Sequence, residues 1–358
     1  MKIGIDGSFW SNQRRGHDRY GFELAKALDI FFPNDQFFVY SPFDIELPVR
    51  SERWILRTGG QLLSVSPVSW LKTVGSYLCW QDKLDVFWGT YYFLPYLPKK
   101  TKTILTVHDF WYQISPESLN WLHVMAKRIF LKSDIQRADS VVTVSQGTAQ
   151  RLFDWIGYKS EIISPAISDI FQPQDQEQIN TALEYYSIHT PYLLNIATWE
   201  PRKNVKLLVK TFIRMKQEGL IPSHQLVLVG KKGWDYEDIE TLIVESRLNS
   251  ITVINYIPND HLPALYAGSD SFVFPSIYEG FGIPVLEARA CGSQAVTTDI
   301  PELRQAGGTD TIYIQPTEKG IREGILKALN NPISHQETIV LPSWEEEAKK
   351  LAAIISEE

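Results

Sequence analysis

Cysteine is scarce in this 358-residue sequence: Cys79 and Cys291 are the only two, far apart and without metal-ligand spacing. Their scarcity argues against a disulfide framework and fits a reducing compartment. No run of about eighteen apolar residues occurs, so no segment is expected to cross a bilayer as a helix. Positive charge is not in excess. Lys and Arg total 35 against 42 Asp and Glu, a net charge of −7, so the whole molecule is not a cation built for nucleic acid. No G-x-x-x-x-G-K-[ST] phosphate loop, low-complexity tract or short-period repeat is visible. The opening "MKIGIDGSFW" is too short and polar for a secretion signal and already reads as a strand. What remains is ordinary: 44% hydrophobic and 22% charged residues describe a globular protein, and the length suggests two domains.

Short apolar runs recur with helix-like segments between them. The first series is "KIGID" (2–6), "FFVYS" (37–41), "DVFWG" (85–89), "TILTVHD" (103–109) and "SVVTVS" (140–145), with helices over 17–32 and 119–137. The polar segment 171–190 reads as a linker holding at most one helix. A second series follows: "YLLNIA" (192–197), "QLVLVG" (225–230), "ITVINYI" (251–257), "SFVFPS" (271–276), "QAVTTD" (294–299) and "TIYIQP" (311–316). Helical patterns at 203–218, 235–247, 260–268 and 283–291 separate these runs. Near-continuous apolar strands alternating with helices indicate parallel sheets buried on both faces, and two series give two Rossmann-like, doubly wound α/β domains. Ligands of such sheets sit outside the carboxyl ends of the strands. The expected domains are 1–175, with the final helix 343–358 crossing back to it, and 176–342.

At one such carboxyl end the chain reads "SIYEGFGIPVLEARACG", from Ser276 to Gly292. Gly280 and Gly282 leave room for a ligand to approach the backbone, and Pro284 suits the first turn of a helix. A helix N-terminus with exposed amides favours an anion such as a diphosphate. Carboxylates accept paired hydroxyls, so Glu287 in the helix suits a ribose and Glu279 in the turn a second polyol. Hydroxyls, diphosphate and more hydroxyls make a nucleotide sugar. An ordinary strand–loop–helix with glutamates near the helix start is the competing reading. Valine stands where a dinucleotide fingerprint needs Gly or Ala. The stretch "NIATWEPRKN" (195–204) then places Arg202 and Lys203 at the start of another helix, where the dipole disfavours cations unless an anion joins them.

The E-x7-E spacing of Glu279 and Glu287 together with "EPRKN" resembles the retaining glycosyltransferases of family 4. The resemblance extends through "GKKGW" (230–234) and "YIPNDHLPALYAGSDSFVFPS" (256–276). It is looser at "TVHD" (106–109), "TVSQGTAQRL" (143–152) and "PAISDIFQP" (165–173). It implies a glycosyltransferase B fold, two Rossmann-like domains facing a cleft, with the donor in the second half and the acceptor in the first. By position in the family, Lys203 and Arg202 hold the diphosphate, Glu279 meets the donor sugar and Glu287 the ribose. Gly280, Phe281, Gly282 and Ile283 face sugar and phosphates; Tyr256, Ile257, Leu262 and Gly230 line the nucleotide; and His108 lies near the reacting centre. Gly16, His17, Asp18 and Asp109 are acceptor-side candidates, although the loop "RRGHDRYG" (14–21) departs from the family's glycine-rich form, and Ala197 stands near a common arginine.

The implied reaction is a hexosyl transfer, with retention, from a UDP-sugar of glucose type to a saccharide or lipid-linked saccharide, as in polysaccharide biosynthesis. GDP-mannose is the alternative donor, and a same-fold epimerase or a non-catalytic nucleotide-sugar binder the alternative roles. No D-x-D tripeptide occurs, so no metal and no resident cofactor is expected, the cations and helix dipole taking that part. The expected setting is the cytoplasm, with contact to the inner membrane face left open and no nucleic-acid partner. The aromatic run 87–96 reads as core or as an acceptor platform. The segment "WLHVMAKRIFLK" (121–132) reads as a core helix with a solvated basic face, in preference to a membrane-surface helix.

Overall fold

Parallel strands with helices between them fill the computed structural model, which describes residues 1–10, 16–59, 66–118, 120–233, 236–331 and 341–357. Seven strands form the first sheet: β1 (Lys2–Asp6), β2 (Gln36–Tyr40), β3 (Trp54–Arg57), β4 (Val86–Gly89), β5 (Lys102–Val107), β6 (Ser140–Thr143) and β7 (Glu161–Ile162). Six form the second: β8 (Tyr192–Ile196), β9 (Gln225–Val229), β10 (Ile251–Ile254), β11 (Ser271–Phe274), β12 (Ala295–Thr298) and β13 (Ile312–Ile314). The orders are β3-β2-β1-β4-β5-β6-β7 and β10-β9-β8-β11-β12-β13. Every paired neighbour is parallel, with Ile3 opposite Phe37 and Val86, and Leu193 opposite Leu226 and Ser271.

The central strands are apolar on both sides because helices cover both faces of each sheet. β4, β9, β11 and β12 are buried at every position. In each sheet the order reverses beside its first strand, between β1 and β4 and between β8 and β11. Successive connections depart to opposite faces there, leaving a crevice at the carboxyl ends.

The chain divides into two units, Met1–Ala166 with Pro342–Glu358, and Ile167–Leu341. The exchanges fall at 166/167 and 341/342; the sequence suggests 175/176 and 342/343. In the first unit the helix Trp344–Ser356 is capped by Ser343, which accepts from the Glu346 amide, and Glu345, Glu346 and Glu347 occupy its first turn, where the dipole favours them. It packs on the helix His17–Phe31. Glu347 accepts from the Ser164 amide at 2.8 Å, and Lys102 Nζ donates to the Ile354 carbonyl at 2.6 Å.

Two sequence expectations change. The segment 171–190 holds the one helix allowed for it, but it belongs to the second unit and is not a linker between the two: Asp175 and Gln178 form a reciprocal capping box, and the helix Gln176–Tyr185 follows. The run 121–137 is helical, but Lys127 points inward and several large apolar residues do not. Trp121, Leu122, Met125 and Ile129 are exposed, while Lys127 is buried with its ammonium 3.5 Å from the centre of the Tyr92 ring. Burial pushes that ammonium down to about 8, opposed by the charge of Asp109. In the aromatic run, Phe87, Trp88, Tyr92 and Phe93 are core, and Tyr96 is exposed.

Candidate active site

β8 and β11 are the neighbours at the reversal of the second sheet, and the connections leaving their carboxyl ends bring Lys203, Arg202 and Glu279 together. After β8 the chain makes a tight turn, Pro201–Lys203, and Asn204 follows in the left-handed region (φ 57°), which asparagine tolerates better than most residues. That reversal sets both cations just ahead of the helix Val205–Gln217. The loop after β11 is tied to the same turn, since the Ile277 amide donates to the Arg202 carbonyl at 2.8 Å. The Ser276 hydroxyl lies 3.0 Å from that same carbonyl.

Glu279 is 6% exposed and takes both cations, Lys203 Nζ on Oε1 at 2.5 Å and Arg202 Nη1 on Oε2 at 3.3 Å. Arg202 Nε also donates to Glu200 at 2.9 Å, and the Lys203 ammonium stands 5.1 Å over the Phe274 ring. Burial alone would raise the Glu279 carboxyl, but the Lys203 and Arg202 charges outweigh it and hold the carboxyl below its ordinary value. Burial presses the Lys203 ammonium below its usual range, and the charge of Arg202 acts in the same sense. The result is a buried ion-pair cluster at the carboxyl edge of the sheet.

Beside it, Gly282 starts the helix Ile283–Ala290 with φ 107°, and a Cβ there would stand 2.5 Å from Leu303 Cδ2, so the backbone angle and the packing both call for glycine. Pro284 lies in the first turn and no side chain caps the helix. The amides of Phe281, Gly282 and Ile283 donate to no group among the described residues. Glu287, one turn into the helix, is buried and accepts from Tyr266 Oη at 3.1 Å. The two glutamates of the E-x7-E pattern therefore have different surroundings, a cation pair for Glu279 and a phenol for Glu287.

The other second-half candidates also follow strand ends. Gly230 follows β9 with φ 149°, and a Cβ there would fall 1.9 Å from the Ala197 carbonyl oxygen. Tyr256 and Ile257 follow β10, the first exposed and the second buried. Leu262 opens the next helix, Leu262–Ala267, after His261, whose Nδ1 lies 2.7 Å from Tyr186 Oη.

In the first unit, His108 and Asp109 follow β5. A carbonyl only accepts, so the 2.8 Å contact of His108 Nε2 with the Thr90 carbonyl fixes the proton on Nε2. Asp109 takes its amide to Tyr92 Oη at 2.8 Å and accepts from the Trp111 amide at 3.2 Å. Gly16 (φ 53°) and Asp18, which is buried, stand at the start of the helix His17–Phe31. The His17 side chain and residues 14 and 15 lie outside the described residues.

The sequence reading passed over Asp6, at the end of β1. It is fully buried; its Oδ1 accepts from the Ser8 amide and hydroxyl at 2.9 and 2.6 Å, and its Oδ2 has no partner among the described residues. Burial pushes its carboxyl up to about 7, against the two Ser8 bonds. Thr90 ties it to His108, donating from its hydroxyl to the Asp6 carbonyl at 2.7 Å while its own carbonyl receives the imidazole. An aspartate ending an apolar strand was the available signal.

Comparison with known proteins bears on both halves of the chain. The model for "Glycosyl transferases group 1" matches residues 188–341, and that for "Glycosyltransferase Family 4" matches residues 41–169. Together the two matches support a group 1 glycosyltransferase. The O-antigen chain mannosyltransferase B of Escherichia coli is 28% identical over 253 residues, which is 69% of this chain and 65% of the relative, slightly under two thirds of its length. Among solved structures, WaaG, a glycosyltransferase involved in lipopolysaccharide biosynthesis, superposes with a TM-score of 0.72 at 16% identity, over 99% of both chains. Anabaena HepE in complex with UDP and glucose gives 0.69 at 15% identity, over 99% of this chain and 95% of the other. These likenesses establish the glycosyltransferase B fold: two parallel-sheet α/β domains, of seven and six strands among the described residues.

Proposed function

We propose that the protein moves a hexosyl group from a nucleoside-diphosphate sugar to a hydroxyl of a saccharide or lipid-linked saccharide, with retention of configuration and without a metal, in the cytoplasm. The observation that carries this reading is the cluster of Lys203, Arg202 and Glu279 beside the uncapped helix start at Gly282. A departing diphosphate gathers negative charge, and preorganised cations with aligned amides are the direct way to stabilise it. Glu279 holds both cations. A bound diphosphate would share them, leaving Glu279 free to accept a hydroxyl of the donor sugar. Glu287 would hold the ribose, with Tyr256, Ile257, Leu262 and Gly230 around the nucleotide. The amides of Gly280, Phe281, Gly282 and Ile283 would face sugar and phosphates. Attack on the same face as the leaving group would let a donor phosphate oxygen take the acceptor proton, so no protein nucleophile is assigned.

His108, Asp109, Gly16, His17 and Asp18 would serve the acceptor in the first domain. The donor we read as a UDP-linked hexose of glucose type. GDP-mannose is the second reading, in line with the name of the O-antigen mannosyltransferase relative. Calorimetry with UDP and with GDP in EDTA, followed by turnover on their sugars, tests the proposal. UDP is expected to bind equally with and without chelator. Binding lost in EDTA would overturn the metal-free site, and turnover of GDP-mannose alone would replace the donor.

The separate surroundings of the two glutamates give a sharper test. Glu287→Ala is expected to weaken UDP binding about tenfold, as for one hydrogen-bonded charged group, with Glu279→Ala harming transfer more than UDP affinity. Equal loss of UDP affinity in both would show the division of labour to be wrong.

A further inference from the structure

We propose that the outward face of the helical run 121–137 in the first domain docks on an anionic lipid surface. The run consists of the helix Trp121–Ala126, the wide turns Lys127–Leu131 and the helix Lys132–Arg137. Its exposed positions are Trp121, Leu122, Met125, Arg128, Ile129 and Lys132, continued by Ser133 and Gln136. Steps of one, three and four residues put them on one stripe of a helix. The apolar members are substantially in solvent: Trp121 at 69%, Leu122 at 41%, Met125 at 42% and Ile129 at 58%. A helix that packed only against its own domain would turn such residues inward.

The charge on this run is sorted by face. Its one carboxylate, Asp134, is turned inward, held by Lys72 Nζ at 2.6 Å and by Arg137 at 2.8 Å. Arg128 and Lys132 are outward, so the exposed stripe carries cations and no acid. The patch continues sideways. Tyr96, 53% exposed, lies with its ring centre 5.5 Å from the Arg137 guanidinium, and Trp80, 61% exposed, donates its indole N–H to the Tyr96 carbonyl at 3.2 Å.

Large apolar and aromatic groups interleaved with cations match a layer of negative headgroups over hydrocarbon, where Trp and Tyr sit at the boundary and Lys and Arg meet the phosphates. A second copy of the chain fits less well, since a two-fold contact on this stripe would bring Arg128 and Lys132 toward their own equivalents. The run's anchoring is independent of that outer face: Val124, Lys127, Leu131 and Ile135 hold it from beneath.

The test is flotation of the full chain with vesicles of equal parts phosphatidylglycerol and phosphatidylcholine, and with phosphatidylcholine alone. Binding is expected on the first and much less on the second. Each basic residue near an anionic surface is worth about fivefold in partitioning, so Arg128→Glu with Lys132→Glu is expected to lower binding roughly 25-fold or more. Trp121→Ser with Ile129→Ser is expected to lower it by removing the apolar contact, and raised salt to weaken the parent. All four positions are on the surface, and an unchanged thermal transition certifies each variant. A parent that floats with neither vesicle overturns the proposal. So does a charge-reversed chain that floats like the parent, or a dimer, seen by sedimentation velocity, that Trp121→Ser dissolves.

Discussion

Lys203→Ala is expected to lower the stability of the second domain by about 3–5 kcal/mol, the usual cost of orphaning one half of a buried ion pair. Glu279, 6% exposed, would lose its shorter cation contact and keep the longer 3.3 Å one to Arg202. The double variant Lys203→Ala/Glu279→Ala removes both charges and is expected to recover much of that loss. The pH dependence has a definite sign. In the parent the Glu279 carboxyl is held below its ordinary value, so its contribution is present above the unfolded value and is lost as the pH falls through the folded one. Without Lys203, burial acts with less opposition and raises the carboxyl. The penalty then appears as the pH rises above the ordinary glutamate range, and the single variant's defect is larger at neutral than at acidic pH. Denaturant unfolding of the three proteins at both values reads this out. UDP affinity separates stability from function: one lost charge-assisted contact, about 1.5–3 kcal/mol, weakens binding roughly 10- to 100-fold. The double variant is expected to regain stability and not affinity. A double variant no more stable than the single would dissolve the pair as a unit, and unchanged UDP affinity would remove Lys203 from the donor site.

Asp6→Asn carries the second large effect, and it is confined to pH. Burial raises the Asp6 carboxyl from 3.8 to about 7. The folded chain therefore keeps a proton that the unfolded chain releases near the lower value. Stability contributed by this group is fully present below the ordinary aspartate range, declines as the pH rises from there to about 7, and is level above. That interval, at about 1.36 kcal/mol per pH unit, sets an upper bound of roughly 4 kcal/mol. A side-chain amide cannot ionise, so the variant is expected to lack this slope and to gain on the parent by up to that amount between acidic and mildly alkaline pH. Urea midpoints at the two ends check it. Parallel pH profiles for parent and variant would place the Asp6 carboxyl back in the ordinary range.

Central strands such as "QLVLV" and "SFVF" were legible in the sequence because parallel strands buried on both faces are apolar at nearly every position. β3 and β7 were not. "WILR" is a four-residue edge strand, and Glu161–Ile162 only a two-residue one, too short for any periodicity to register. The helix after Asp175 was allowed for, but its polar surface left it among linker residues when it belongs to the second domain. Within the candidate site, residue types and spacing located Lys203 and Glu279, because a glycine turn before a proline-led helix is a local signal. Their mutual contact at 2.5 Å was not legible, since it joins positions 76 residues apart through the adjacency of β8 and β11. Lys127 was misread for a related reason: its ammonium is drawn inward by Tyr91, Tyr92 and Tyr112, which come from elsewhere in the chain.

The helix Trp344–Ser356 belongs to the first domain but is synthesised after the second. On the ribosome, the contiguous stretch Ile167–Leu341 can close its own core while the first domain still lacks the partner for its helix His17–Phe31. The buried hydroxyl of Tyr20 already has the Ile163 carbonyl, 3.0 Å away, but the Ser164 amide must wait for Glu347. Domains commonly fold in the order in which they emerge; here the amino-terminal domain is the last to be completed. In the interval it has an uncovered helix face, the surface a chaperone would meet on the nascent chain.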